Sequence, residues 1–176
     1  MIAMGGIADW RLRAVIAVGP RCIAALQNAF WFNQSKLFLQ ALTASTSVLI
    51  TVHPQMLDLM SMSQFLLMLG NITKTIKAAG ADVRLDWLRY LITRFEPQDV
   101  PQVQMLGFMQ SMLAEEILKT PMVKTTAISD AGLTKRSLYE LDRSNFTRGT
   151  YDRAIECMDA VNFEIQGLIH RAWGRM

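Results

Sequence analysis

Cysteine is almost missing from this chain of 176 residues, with Cys22 and Cys157 as the whole complement. Two thiols so far apart in sequence give neither a disulfide framework nor metal-ligand spacing, so a reducing cytoplasm is the expected compartment. Charge is scarce too, at 19% of residues, but 51% are hydrophobic, which excludes a disordered chain. Long apolar runs are absent. The best, Ala14–Val18, is stopped by Gly19-Pro20, far short of the roughly 18 residues a membrane helix needs. No membrane partner is expected. A secretory leader is not expected either, because only five apolar residues follow Arg13 before Gly19.

Acidic residues are nearly missing from the first third. Residues 1–57 hold Arg11, Arg13, Arg21 and Lys36 against Asp9 alone, whereas residues 58–176 balance 14 basic against 14 acidic side chains. The net charge of +3 therefore belongs to the amino-terminal stretch and argues little for nucleic-acid binding by the rest. This break in composition divides the chain into residues 1–36 and residues 37–176.

What is there alternates between two periods. Val48–Val52 is a short, mostly β-branched run ended by His53-Pro54, the pattern of a strand buried in a parallel sheet. Residues 56–79 place Leu57, Met60, Phe65, Leu69, Ile72 and Ile76 near helical spacing, and Lys77 and Gly80 provide a cationic last turn and a cap. A second strand is expected over Leu85–Phe95 and a second helix over Val103–Leu118, with Leu106, Met109, Met112, Leu113 and Ile117 on its apolar face. A third strand is expected over Thr125–Ile128 and a closing helix over Tyr151–Trp173. Strand and helix in alternation predict an α/β sheet with crossovers. In residues 1–36, Ala14–Val18 reads as a short strand and Arg21–Phe32 as a helix, neither with clean boundaries. Twelve methionines, several on the two central helices, read as core filling rather than as a binding groove.

Recognisable chemistry is thin. Gly70-Asn71-Ile72-Thr73-Lys74-Thr75 ends like a phosphate-binding loop but has Thr73 where a glycine must precede the lysine, and it lies inside a helix. Gly5-Gly6 has no following lysine. His53 ends a strand, where α/β folds place functional groups, but no nucleophile or second ligand accompanies it. His170 suits the end of a helix. Glu115 and Glu116 are adjacent and point apart, so they form no catalytic pair. Thr126–Tyr139 reads as a helix–turn–helix, with Thr134 to Ser137 entering a groove, only if Thr125–Ile128 is helical rather than extended.

Three segments then carry a resemblance. Ala41–Met62, with Thr51-Val52-His53-Pro54-Gln55 at its centre, resembles the ParA-type plasmid-partitioning ATPases, most nearly the RepA branch of repABC replicons. Leu85–Pro97 and Thr126–Tyr139 continue it in the family's order, so that it runs from about Phe38 to Arg175. The resemblance implies a deviant-Walker P-loop fold, a mostly parallel sheet flanked by helices. It also implies dimerisation on ATP and Mg²⁺ with a ParA-like partner, DNA binding without sequence preference, and a ParB- or RepB-type centromere-binding protein.

The family's Lys-Gly-Gly-x-Gly-Lys-Ser/Thr loop and its Mg²⁺-serving aspartate strand precede the matched part, and residues 1–36 resemble neither. The expectation is therefore a partial sheet whose amino-terminal strands are missing or replaced, in a truncated plasmid-partitioning protein. Residues 1–36 are expected to complete that sheet only in part, leaving Val48–Val52 with an open edge. No catalytic or metal residue is expected, and neither ATP nor Mg²⁺ is expected to be held by this chain alone. By resemblance, Pro54 and Gln55 follow the strand beside the nucleotide pocket. Thr93, Arg94 and Pro97 occupy the turn that approaches the base, and Ser129 and Asp130 occupy a second base-side loop. Lys135 and Arg136 are the DNA-binding candidates. A non-enzymatic regulator that binds intact partners or DNA, and an inert gene remnant, are the alternatives.

Overall fold

In a computed structural model, the structure describes residues 15–18, 42, 45–80, 85–146 and 149–174. The helix expected over 21–32, with its aromatic cluster Phe30-Trp31-Phe32, lies outside them. A three-stranded parallel sheet runs in the order β1 (Val15–Val18), β2 (Ser47–Val52), β3 (Trp87–Ile92). Val15 pairs with Ser47 and Val18 with Ile50 on one side of β2, and Ser47 to Val52 pair with Trp87 to Ile92 on the other. The expected open edge of β2 is thus corrected. Over Ser47–Ile50 the strand has a neighbour on each side, because the β-rich run after Arg13 supplies the missing ladder.

Strand β2 is buried on both faces, and alternation decides what each side chain meets. Val48, Ile50 and Val52, with Tyr90 and Ile92, form one core with α1 (Met56–Ala78) and α2 (Val100–Leu113). Leu49, Trp87 and Leu91 form another with Leu118 and with Val161 of α4 (Thr150–Trp173). The result is an α/β fold with helices on both faces of the parallel sheet, as expected. No helix among the described residues is long and apolar enough to cross a membrane.

The helices follow their signals unevenly. Helix α1 ends as predicted: Gly80 adopts φ +81° and its amide donates to the Lys77 carbonyl at 3.0 Å. Its apolar face is shifted, however. Met62, Phe65 and Leu69 are buried, whereas Leu57 is 75% and Met60 58% exposed. The methionines divide likewise, with Met62 and Met109 in the core and Met56, Met60 and Met112 exposed. Helix α2 starts earlier than expected, with Asp99 as N-cap, and stops at Leu113 because Ala114 turns to φ +44°. A 3₁₀ turn, Ala114–Glu116, comes next, so Ile117 and Leu118 leave the helix for the sheet.

The third strand is also corrected. The chain instead bridges β3 and the turn after it earlier, through parallel bridges Tyr90–Ile117 and Phe95–Val123. Leu118 N–H donates to the Tyr90 carbonyl and Met122 N–H to that of Ile92, each at 2.8 Å. Thr125, read as β-forming, is instead the N-cap of α3 (Thr126–Leu133): its hydroxyl accepts from Ile128 N–H at 3.4 Å. A threonine suits either role, and here capping wins. Ala127 and Ala131, one turn apart, then pack against Leu138 and Ala154.

Candidate functional site

Parallel sheets present ligands with the carboxyl ends of their strands. Here that edge is built from the turns after β2, after β3 and after the Ile117–Val123 segment. The first turn is tight, with Gln55 N–H donating to the His53 carbonyl at 2.7 Å. Pro54 is buried and Gln55 exposed. His53 is 8% exposed, and its Nδ1 has no hydrogen-bond partner among the described residues.

The second turn is held more firmly. Thr93 N–H donates to the Val52 carbonyl at 2.8 Å, and Phe95 N–H to that of Met122 at 3.0 Å. Between them, Arg94 is exposed at φ +57°. Glu96 is the hub of the edge. Its amide donates to Gln102 Oε1 at 3.0 Å, and its Oε1 accepts from Lys124 Nζ at 2.8 Å. Gln102 Nε2 in turn donates to Asp99 Oδ2 at 2.9 Å. The Lys124 hydrogen bond holds the Glu96 carboxyl below the usual carboxylate range, helped by the Lys124 charge, by Gln102 and by His53. Pro97 lies exposed beside this network.

Gln102 is 3% exposed, and it alone satisfies the Glu96 amide among the described contacts. Gln102→Leu removes that partner, so a loss of about 1 kcal/mol is expected, the usual net worth of one hydrogen bond. Urea unfolding and amide exchange at Glu96 check it. Wild-type stability with a protected Glu96 amide would contradict the network's role.

The remaining predicted residues lie elsewhere. Ser129 and Asp130 are exposed on α3, so the second base-side loop is in fact a helix, produced by the Thr125 cap. Lys135 turns to φ +55° and Arg136 N–H donates to the Ala131 carbonyl at 3.3 Å, ending that helix. Both side chains are exposed. The helix–turn–helix reading thus gains its first helix and loses its second. In place of the second stands the 3₁₀ turn Leu138–Glu140, where Ser137 N–H donates to Glu140 Oε2 at 2.6 Å. That bond and the Ser137 hydroxyl hold the Glu140 carboxyl low. A cavity of about 480 Å³ joins Asp130 and Arg136 with Thr134, Leu141 and Phe146.

No group of three or more His, Cys, Asp and Glu able to hold a metal occurs among the described residues. A triphosphate needs a nest of free amides. At this edge Pro54 has none and those of Gln55, Thr93, Phe95 and Glu96 are bonded within the protein, whereas the first amides of α1 have no partner within the helix. The Glu96–Gln102–Lys124 network is invisible in the sequence because nothing in its spacing marks it.

No family model matches the chain. Over 139 residues, 79% of its length, it is 61% identical to a protein of Sinorhizobium fredii named "Putative replication protein A". A protein of Rhizobium rhizogenes bearing the same name is 60% identical over 139 residues. The chain spans about a third of the length of these relatives, 34% of each. A solved structure named "Partition Protein" overlaps 70% of this chain and 31% of its own, at a TM-score of 0.45 and 15% identity.

Proposed function

We propose that this chain is a RepA/ParA-like part of a plasmid replication and partition system that acts by contacting DNA and partner proteins. The reading rests on one observation, the 61% identity over 139 residues to a replication protein. On this reading its partners are a ParB- or RepB-type centromere-binding protein and a ParA-like chain. These 176 residues contain no Gly-Lys-Ser/Thr phosphate loop, and the Gln55, Thr93, Phe95 and Glu96 amides at the carboxyl edge are already bonded. We therefore assign ATP and Mg²⁺ no place on the described residues, and the contribution of this chain is binding rather than hydrolysis.

Lys135 and Arg136 are the proposed DNA contacts, exposed at the end of α3 without an ion-pair partner among the described residues. Such contacts to phosphate are indifferent to sequence and sensitive to salt. Replacing both with Ala should weaken binding equally on unrelated duplexes and lower the slope of log K against log salt by about 2, close to one unit per lost phosphate contact. Fluorescence anisotropy on several duplexes over a salt series measures both. Absence of binding by the wild-type chain, or a loss confined to one duplex, contradicts the proposal.

A second reading, a non-enzymatic regulator that docks on partition partners, draws on the helices that cover one face of the sheet. Leu57, Met60 and Leu67 of α1 and Val100, Phe108 and Met112 of α2 are each at least 49% exposed.

A further inference from the structure

The strand β3 carries one residue that its position does not call for. On the face that packs against α4, Trp87 and Leu91 are buried in an apolar cluster, and Arg89 stands between them. A half-buried guanidinium has five donors to satisfy and is held in such places by an anion. Arg89 satisfies little of this demand: its Nη1 donates to the neighbouring Leu88 carbonyl at 2.9 Å. No carboxylate of the described residues lies within ion-pair distance of it.

Instead Arg89 opens into a cavity of about 400 Å³ at the margin of the sheet, lined also by Lys119 and by Arg171 from the last turn of α4. Three cations thus converge from three elements. Two carboxylates share the cavity, Glu115 and Glu164. Both Glu164 oxygens are already engaged, accepting from Lys119 N–H at 2.8 Å and Thr120 N–H at 3.2 Å. Glu115 is exposed and pairs with none of the three cations. Ala114, on the same wall, holds φ +44° and ψ −113°, a strained conformation for a residue with a Cβ and one that concentrates at binding sites.

We propose that this cavity binds a phosphoryl group, gripped by Arg89 and Arg171 with Lys119 at its rim. An arginine fork matches phosphate oxygens in pairs, and two forks from different elements enclose one group. The site lies on the α4 face and is separate from the carboxyl-edge turns and from Lys135 and Arg136. Two sources present this chemistry, a small phosphorylated molecule and a nucleic-acid strand.

Titration calorimetry of the full chain with pyrophosphate tests the proposal. Saturable binding is expected, weakened at least about tenfold in Arg171→Gln, the loss of one charge-assisted hydrogen bond. Arg171 is exposed, so that variant keeps its fold, which circular dichroism verifies; Arg89→Gln should lose binding to a similar extent. The Lys135→Ala and Arg136→Ala variants should bind pyrophosphate as wild type does. A duplex that competes with pyrophosphate and itself weakens in Arg171→Gln identifies nucleic-acid phosphate as the source. Pyrophosphate binding without competition identifies a small molecule. No saturable binding up to about 10 mM, weaker than any site worth about 4 kcal/mol, or equal affinity in Arg171→Gln, overturns the proposal.

Discussion

Ile50→Ala is expected to destabilise the chain by about 4 kcal/mol, in the upper part of the range for truncating a buried aliphatic side chain. Ile50 is 0% exposed on the strand paired on both sides, to Val18 in β1 and Tyr90 in β3. It sits in one core with Phe65 and Met62 of α1 and Met109 of α2. A hydrogen-bonded central strand cannot collapse into the void, so the cavity persists and its cost adds to the lost burial. Domains of ordinary stability hold only about 5–15 kcal/mol in all, so the variant should lose much of its margin. Urea unfolding measures the effect as a lower midpoint at unchanged slope. Leu57→Ala on the exposed side of α1 is the control and should stay within about 0.5 kcal/mol of wild type. Equal losses at the two sites would mean that α1 packs by a different face.

Alkaline pH should expose a second weakness. Burial, and then the Glu116 charge, push the Tyr90 phenol from 10.0 up to about 12. In the unfolded chain the same group ionises near about pH 10. Between these values the unfolded state has released a proton that the native state still holds. Stability is therefore intact below about pH 10 and falls by about 1.4 kcal/mol per pH unit up to about 12. The total expected from Tyr90 is about 2–3 kcal/mol over that window. Unfolding free energies measured across it should flatten in Tyr90→Phe. Tyr139, raised first by its hydrogen bond to Asp159, is the comparison; it is half exposed, and Tyr139→Phe should change the slope less. A profile indifferent to Tyr90→Phe would show that the phenol ionises in the native state as freely as in the unfolded one.

The carboxyl edge was legible where it depends on strand ends and illegible where it depends on contacts. Pro54, Gln55, Thr93, Arg94 and Pro97 reach the carboxyl edge because the two apolar runs before them are strands, and strands of a parallel sheet end together. Ser129 and Asp130 lie on a helix rather than on a loop through the role of a single residue. Thr125 favours a strand by its branching and a helix start by its hydroxyl, and only the position of α4 beneath Ala127 and Ala131 decides between them. Lys124 joins Glu96 across a separation of 28 residues, which no local pattern records.

By itself the sequence determined whatever is settled locally: the β-branched run of β2, the helical spacing of α1 and α4, the Gly80 cap, and the lack of a phosphate loop. These come from side-chain branching, periodicity and backbone freedom, which act within a few residues. Tertiary structure alone decided the rest. Ile117–Val123 lies along β3 and the turn after it with only two bridges, interrupted by Pro121, and carries no alternation to announce it. The four-residue β1 was legible as a strand, but its pairing beside β2 is decided by the ladder that β2 offers. Arg89 has the strand-forming neighbours of any buried strand. It faces an open cavity rather than a hydrophobic wall because α4 brings Glu164, Leu168 and Arg171, rather than apolar side chains alone, to that end of the sheet.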